Sequence, residues 1–220
     1  MWNAFIDGVK TTVDLFYNFT NLIGLPSYAL AIVLLTISIK LILYPLTKKQ
    51  MQSMKMMQKL APKIKEIQEK YKNKDPQKMQ QKIMELYKEN NVNPLAGCLP
   101  ILIQMPVLIA LYQALLTYDF SDVQHAHFFW IETLKDKDPF YILPLLAAFT
   151  TYLQSRFTMG SKDQTQKMLL YMMPVLIGWF ASIVPSGLAL YWVVFNIMGI
   201  VQQYFINKHI EAAEKGVARQ

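Results

Sequence analysis

Lys40 is the residue of this chain best placed to do chemistry. It is the one charge inside the apolar run from Leu25 to Leu46. An ammonium in such surroundings attracts an anion far more strongly than one in water. Lys40 precedes Leu46 by about 9 Å of helix, at 1.5 Å per residue. Two readings stand at this point. Its long stem lets the head snorkel toward the lipid headgroups, or the head serves a polar cavity inside the membrane. Thr36 lies one helical turn earlier on the same face and extends a polar stripe. A second stripe, Trp192, Asn196, Gly199 and Gln203, steps by fours and threes, Thr150 and Gln154 pair in the same way, and Gln104 sits in yet another apolar run. Singly, such side chains are hydrogen-bonding glue between helices. Several of them beside one unpaired charge favour a wet cavity.

Nothing in the chain assembles a catalytic centre. There is no Gly-rich phosphate loop, no nucleophile motif and no carboxylate pair inside an apolar run, so neither an enzyme nor a cofactor is expected. His125 and His127 lack a third ligand, which argues against a metal. Cys98 is the one cysteine; among Leu99, Ile101 and Leu102 it reads as a buried, inert thiol that forms no intramolecular disulfide.

These residues need elements to hold them. Residues 1–24 carry Trp2, Phe5, Ile6, Val9, Val13, Phe16 and Tyr17 at helical spacing and read as an amphipathic helix lying in the interface. Asp7, Lys10 and Asp14 interrupt any apolar core that a secretory signal would need. The first transmembrane helix is assigned to 25–46. Residues 47–93 hold 12 lysines against 5 acids and form a helical hairpin standing in water. Its first helix carries an apolar stripe through Met51, Met54, Met57, Leu60, Ile64, Ile67 and Tyr71, and Pro62 is placed to bend or split it. Asp75 caps its second helix, with Pro76 at the first helical position. Its hinges are expected near Thr47 and Asn93. The second span takes 94–118, an acidic loop 119–139, the third span 140–157, a basic loop 158–167 and the fourth span 168–184. After the tight turn Pro185-Ser186-Gly187, the fifth span takes 188–206 and a polar tail 207–220. Pro100, Pro106, Pro144 and Pro174 interrupt spans as kinks.

The fold class is therefore all-α, a polytopic membrane protein of about five transmembrane helices. The composition agrees: 53% apolar residues with 17% charged ones and a mean hydropathy of +0.20 require greasy and charged segments to alternate along the chain. Lysine and arginine excess places the hairpin, the short basic loop and the tail in the cytoplasm, with the N-terminus and acidic loop outside. That rule absorbs the net charge of +7, so no DNA partner is expected. Trp2, Tyr28, Tyr118, Trp130 and Tyr141 fall near outer ends of spans, as interfacial anchors do. Neither duplicated halves nor paired intramembrane charges support the alternative, a small transporter or channel.

The chain resembles the YidC family of membrane protein insertases from its first span to its fifth. The resemblance rests on Tyr44-Pro45-Leu46-Thr47, on Asn93-Pro94-Leu95-Ala96-Gly97-Cys98-Leu99-Pro100, on Ile103-Gln104-Met105-Pro106 through Ala110-Leu111-Tyr112, on Pro185-Ser186-Gly187-Leu188 and on Gln202-Gln203. It implies helices around a hydrophilic groove open to the cytoplasm and the inner leaflet, closed to the outside. It implies insertion of nascent transmembrane proteins with no nucleotide consumed. Partners would be nascent membrane proteins, the lipid bilayer, the ribosome and the Sec translocon. Thr36, Gln154 and Trp192 match groove positions of the family, with Gln104 and Asn196 as further polar residues of the same groove. Lys40 falls where the family usually has arginine, which keeps the charge and loses the forked donor geometry. The large extracytoplasmic domain and the lipoprotein signal of some relatives are not seen, and a bacterial cell membrane is the expected location.

Overall fold

In the computed structural model of the chain the described residues are 1–71, 74–93, 99–120, 122–158 and 164–217. The apolar and lysine-rich runs alike fold as helices: α1 (Trp2–Leu22), α2 (Tyr28–Ile42), α3 (Tyr44–Tyr71), α4 (Pro76–Glu89), α5 (Leu99–Leu116), α6 (Ile142–Thr158), α7 (Gln164–Ile183) and α8 (Ser186–Val217), with a short 3₁₀ turn at Val123–Ala126. Among the described residues the only β pairing is an isolated bridge between Phe128 and Ile131. The chain divides into two units, Met1–Tyr44 with Gln104–Phe205, and Pro45–Ile103 with Ile206–Gln220.

The first unit is built with small residues inside and large apolar ones outside. Ala29, Ala31, Ala110, Ala114, Ala147, Ala181 and Ala189 are buried, while Leu41, Ile42, Leu145, Phe149, Val175, Trp179 and Phe205 are exposed. Buried alanines let helix backbones approach closely, and an exterior this apolar suits a lipid phase better than water. Ile32, Leu35, Leu111, Leu115, Leu188 and Tyr191 fill the remaining core. Gly187 stands where three elements meet: a Cβ there would lie 3.1 Å from Leu115 Cδ1, 3.2 Å from the Leu134 carbonyl and 3.3 Å from Ile32 Cδ1. This close approach explains the glycine of the Pro185-Ser186-Gly187 turn. The first N–H groups of α8 have no intrahelical acceptor. Ser186 N donates instead to the Asp136 carbonyl at 2.7 Å, and Gly187 N to that of Leu134 at 3.0 Å.

The acidic loop is therefore a built lid over one end of this unit. Ile131 and Leu134 are buried in it. Asp138 is buried too and accepts three hydrogen bonds: from Trp130 Nε1 at 2.8 Å, Phe140 N at 3.0 Å and Leu143 N at 2.6 Å. It thereby ties the loop to the first turn of α6.

In the second unit, α3 and α4 are mostly solvated. Leu60 and Val92 are the buried apolar residues of its hairpin among those described. Asp75 caps α4 as expected, its carboxylate accepting from Lys78 N at 2.9 Å with Pro76 next in the chain.

Several expectations need revision. Pro62 neither splits α3 nor ends it; the helix runs unbroken from Tyr44 to Tyr71. Thr47 thus lies inside a helix, and the break falls earlier, at Leu43. Lys40 consequently stands in the last turn of α2, so the distance to Leu46 is not measured along one helix. Tyr28 and Tyr118 are not anchors at a membrane surface. Both are buried, and Tyr28 stacks on Tyr17 at 4.0 Å between ring centres while meeting Tyr118 and Phe120 edge-on. Pro106 and Pro174 lie within continuous helices, and Pro144 falls in the first turn of α6, where its missing N–H has no intrahelical acceptor to lose. The helix α8 continues well into the segment expected as a plain polar tail. Cys98, residues 94–97 and residues 159–163 of the short basic loop lie outside the described residues.

Among the described residues one stretch, Ser186–Ile210 with 25 residues, is by itself long and apolar enough to cross a membrane; Leu102–Leu116 and Lys167–Ile183 are apolar but shorter. The helix α2 has 15 residues and rises roughly 22 Å, against a hydrocarbon core of about 30 Å.

Candidate functional site

The site is assembled on one helix. Along α8 the residues Tyr191, Phe195, Gly199 and Gln202 recur at helical spacing, and the cation from α2 rests against them. Lys40 Nζ lies 3.3 Å from the centre of the Phe195 ring. An aromatic face is electron-rich and attracts a desolvated ammonium. Lys40 is 6% exposed, and among the described residues no carboxylate pairs with it.

Its backbone is held as well. Near a helix end the carbonyls run out of intrahelical donors. The Lys40 carbonyl accepts from Gln202 Nε2 at 2.8 Å, which pins the last turn of α2 to α8. Thr36, one turn earlier, is fully buried and its hydroxyl donates to the Ile32 carbonyl at 2.6 Å. That back-bond satisfies a buried hydroxyl inside its own helix.

The other expected residues come to α8 from different sides. Gln154 of α6 reaches Gly199: a Cβ at Gly199 would clash with Gln154 Nε2 and would lie 3.3 Å from Lys40 Nζ. The missing side chain at 199 is what lets the amide and the ammonium share this place. Asn196 is buried and donates to Thr150 Oγ1 at 3.1 Å and Thr151 Oγ1 at 2.8 Å, both on α6. Farther along, Thr158 Oγ1 donates to Gln203 Oε1 at 2.9 Å, and Gln203 Nε2 donates to the Phe157 carbonyl at 3.2 Å. Gln104 of α5 donates to the Tyr191 hydroxyl at 2.6 Å, and Tyr191 stacks with Phe195 at 5.8 Å. Trp192 is half-buried, its ring 6.1 Å from that of Phe180 on α7.

Of the expected stripe on α8, Trp192, Asn196 and Gln203 thus serve α6 and α7, and Gly199 alone also borders Lys40. The face that meets Lys40 is the adjacent one, on which Gly199 is joined by Tyr191, Phe195 and Gln202. The structure brings Lys40 and Gln154 together at Gly199 and links Gln104 to the same place through Tyr191 and Phe195. It sets Asn196 into the α6–α8 seam and Trp192 against α7. Phe195 was missed because an aromatic residue in an apolar run carries no signal of its own; its spacing of four from both Tyr191 and Gly199 was the one available hint.

At the opposite end of the first unit, His125 is occupied structurally. Its Nδ1 lies 2.6 Å from the Tyr17 hydroxyl and 3.5 Å from Asp122 Oδ2. Burial, with the neighbouring Tyr28 and Asp122, raises the Tyr17 hydroxyl above its ordinary pKa. The Tyr118 hydroxyl donates to Asp14. Among the described residues no cluster of three metal-ligating side chains occurs.

Comparison with known proteins converges on one family. The sequence model described as the 60Kd inner membrane protein matches residues 18–214. A protein of Geobacter metallireducens named membrane protein insertase YidC is 46% identical over 86% of this chain and 35% of its own length. One of Bacillus anthracis, named membrane protein insertase YidC 2, is 44% identical over 98% of this chain and 85% of its own. The chain thus spans about a third of the first relative and most of the second. A crystal structure of an active YidC insertase, with its first transmembrane domain resolved, superposes with a TM-score of 0.73 at 28% identity, over 93% of this chain and 47% of that one.

Proposed function

The chain belongs to the 60Kd inner membrane protein family, and from that membership we propose that it inserts nascent transmembrane proteins into a bacterial cell membrane and helps them fold. In this reading about five helices span the bilayer: α2, α5, α6, α7 and α8, with their flanking residues completing the shorter ones. They surround a hydrophilic groove open to the cytoplasm and the inner leaflet. The amphipathic α1 lies at the outer interface, and the hairpin of α3 and α4 stands in the cytoplasm. Ribosome and Sec translocon are its working partners. No bond is made or broken by the protein itself.

The observation that carries the reading is Lys40: a buried ammonium without a carboxylate partner among the described residues, set among an amide and an aromatic ring, in a unit whose exterior is apolar. A fixed intramembrane charge is costly and is kept where it acts. A substrate with a short acidic outer segment must carry negative charge through lipid. A positive site partway across lowers that barrier by attraction and by replacing lost hydration. The attraction has to remain modest, since tight binding would trap the segment. Gln154 supplies a neutral amide at Gly199 beside the cation, Gln104 fixes the Tyr191 ring that stacks on Phe195, Thr36 lies one turn before Lys40 on α2, and Asn196 ties α8 to α6.

The test is reconstitution of purified protein in liposomes, with insertion of short single-span substrates read by protease protection. Lys40→Arg is expected to insert acidic-tailed substrates. Lys40→Ala is expected to lose about tenfold or more, corresponding to about 1.4 kcal/mol of barrier, and Lys40→Glu to lose more. Neutral-tailed substrates depend less on position 40. Normal insertion of acidic tails by well-folded Lys40→Glu would remove the electrostatic mechanism.

A further inference from the structure

We propose that Phe195 is the positioning residue for the Lys40 charge: the ring face is the seat on which the ammonium waits, and an acidic substrate segment engages the cation from that seat. This rests on the insertase reading above and adds to it the residue that holds the charge in place.

Lys40 is a buried cation that has no carboxylate counter-ion among the described residues. A lysine head can escape such a place by swinging its flexible stem toward water or headgroups. Here it does not: the head lies over the Phe195 ring and is almost wholly covered. The ring is itself immobilised. Tyr191 stacks on it from one turn earlier, and the Tyr191 hydroxyl is fixed by Gln104. One turn later Gly199 leaves the gap beside the ammonium. Gln202 holds the backbone from which the lysine side chain springs. Four positions on one face of α8 therefore act on one side chain, and Phe195 is the one that touches its charge.

A ring is suited to this task where a carboxylate is not. Its attraction offsets part of the lost hydration and leaves the net charge of the site at plus one. A carboxylate would hold the lysine more firmly but would cancel the field that an acidic segment feels. An aromatic seat keeps the cation inside the protein and available.

Two measurements on the full chain test this. The first is NMR of the protein in detergent with lysine labelled at Cε. The Lys40 ε-protons should be displaced upfield by the ring current in the wild type and in Phe195→Tyr, and should return to ordinary lysine values in Phe195→Leu. A synthetic peptide with an acidic end should move the displaced signal, and a matched neutral peptide should move it less. The second is the liposome assay. Phe195→Leu should reduce insertion of acidic-tailed substrates about tenfold, and Phe195→Tyr should restore it. An aromatic requirement of this kind is not expected of a residue that only fills space, because leucine is also a large apolar side chain.

An ordinary Lys40 ε-proton shift in the wild type overturns the proposal, as does acidic-tail insertion by Phe195→Leu at the wild-type rate. Should Phe195→Leu not fold, the wild-type and Phe195→Tyr spectra still decide it. The two readings fail separately: activity of Lys40→Glu on acidic tails removes the insertase electrostatics, whereas loss in Lys40→Glu with wild-type behaviour in Phe195→Leu removes the seat alone.

Discussion

Asp138 shows how a single side chain organises an end of the bundle. Its two carboxylate oxygens receive an indole N–H and two backbone N–H groups. They gather Trp130, Phe140 and the start of α6 around one buried anion. The carboxylate also faces the N-terminus of α6, where helix partial charge favours an anion. Removing it leaves three donors short of an acceptor, one of them the buried N–H of Leu143. Asp138→Ala should destabilise the first unit by roughly 2–4 kcal/mol. Asp138→Asn keeps an acceptor oxygen and should cost less. Thermal unfolding in detergent, followed by tryptophan fluorescence, reads both. Equal midpoints for Asp138→Ala and wild type would show that the loop is not held in this way. The polar side chains around α8 obey the same rule in a milder form: Asn196, Gln203 and Gln104 each find a partner on a neighbouring helix, because an unpaired polar group among packed helices is expensive.

At the scale of elements, the two units differ in what holds them. The first has a continuous buried core from α1 to α8. The hairpin in the second has Leu60 and Val92 buried and leaves Met56 and Met84 exposed. Its ion pairs, Lys65 with Glu69 at 3.7 Å and Lys82 with Glu85 at 2.6 Å, are solvent-exposed and contribute little. Local stability follows buried contacts, so the hairpin should open far more easily than the bundle. Replacing Lys55 to Lys88 by a short Gly/Ser linker should leave a folded membrane domain with an unchanged melting midpoint and reduced insertion. Collapse of the bundle in detergent after this deletion would mean that the hairpin is a scaffold and not a receiving surface.

For the whole molecule the open quantity is orientation. The lysine-rich hairpin and the acidic lid lie far apart in charge: 12 lysines against 5 acids in one, 2 lysines against 5 acids in the other. The positive-inside rule predicts opposite sides of the bilayer for them. On a Cys98→Ser background, cysteines introduced at Lys74 and Gln220 should react with an impermeant maleimide only from the cytoplasmic side, and one at Asp122 only from outside. Labelling of positions 74 and 122 from the same side would contradict the five-span arrangement.

Helix content, the hairpin with its Asp75 cap and the break before α8 at Pro185 were legible in the sequence, because each depends on local pattern: apolar periodicity, a capping side chain and a proline; Ser186 and Gly187, expected in the turn, open the helix instead. The candidate cation was legible too, since a lone lysine in an apolar run stands out against its neighbours. Partners in space were not. Nothing local says that Phe195 lies under Lys40, that Gln202 holds its carbonyl, or that Tyr28 and Tyr118 turn inward to an aromatic cluster and not outward to lipid. Those contacts join residues as much as 162 positions apart. Periodicity reports that a helix has faces, but a face carries no mark of the helix that will cover it. Two adjacent stripes on α8, one polar and one aromatic, share Gly199, and only the packing of α2, α6 and α7 around that helix decided that the aromatic one meets the charge.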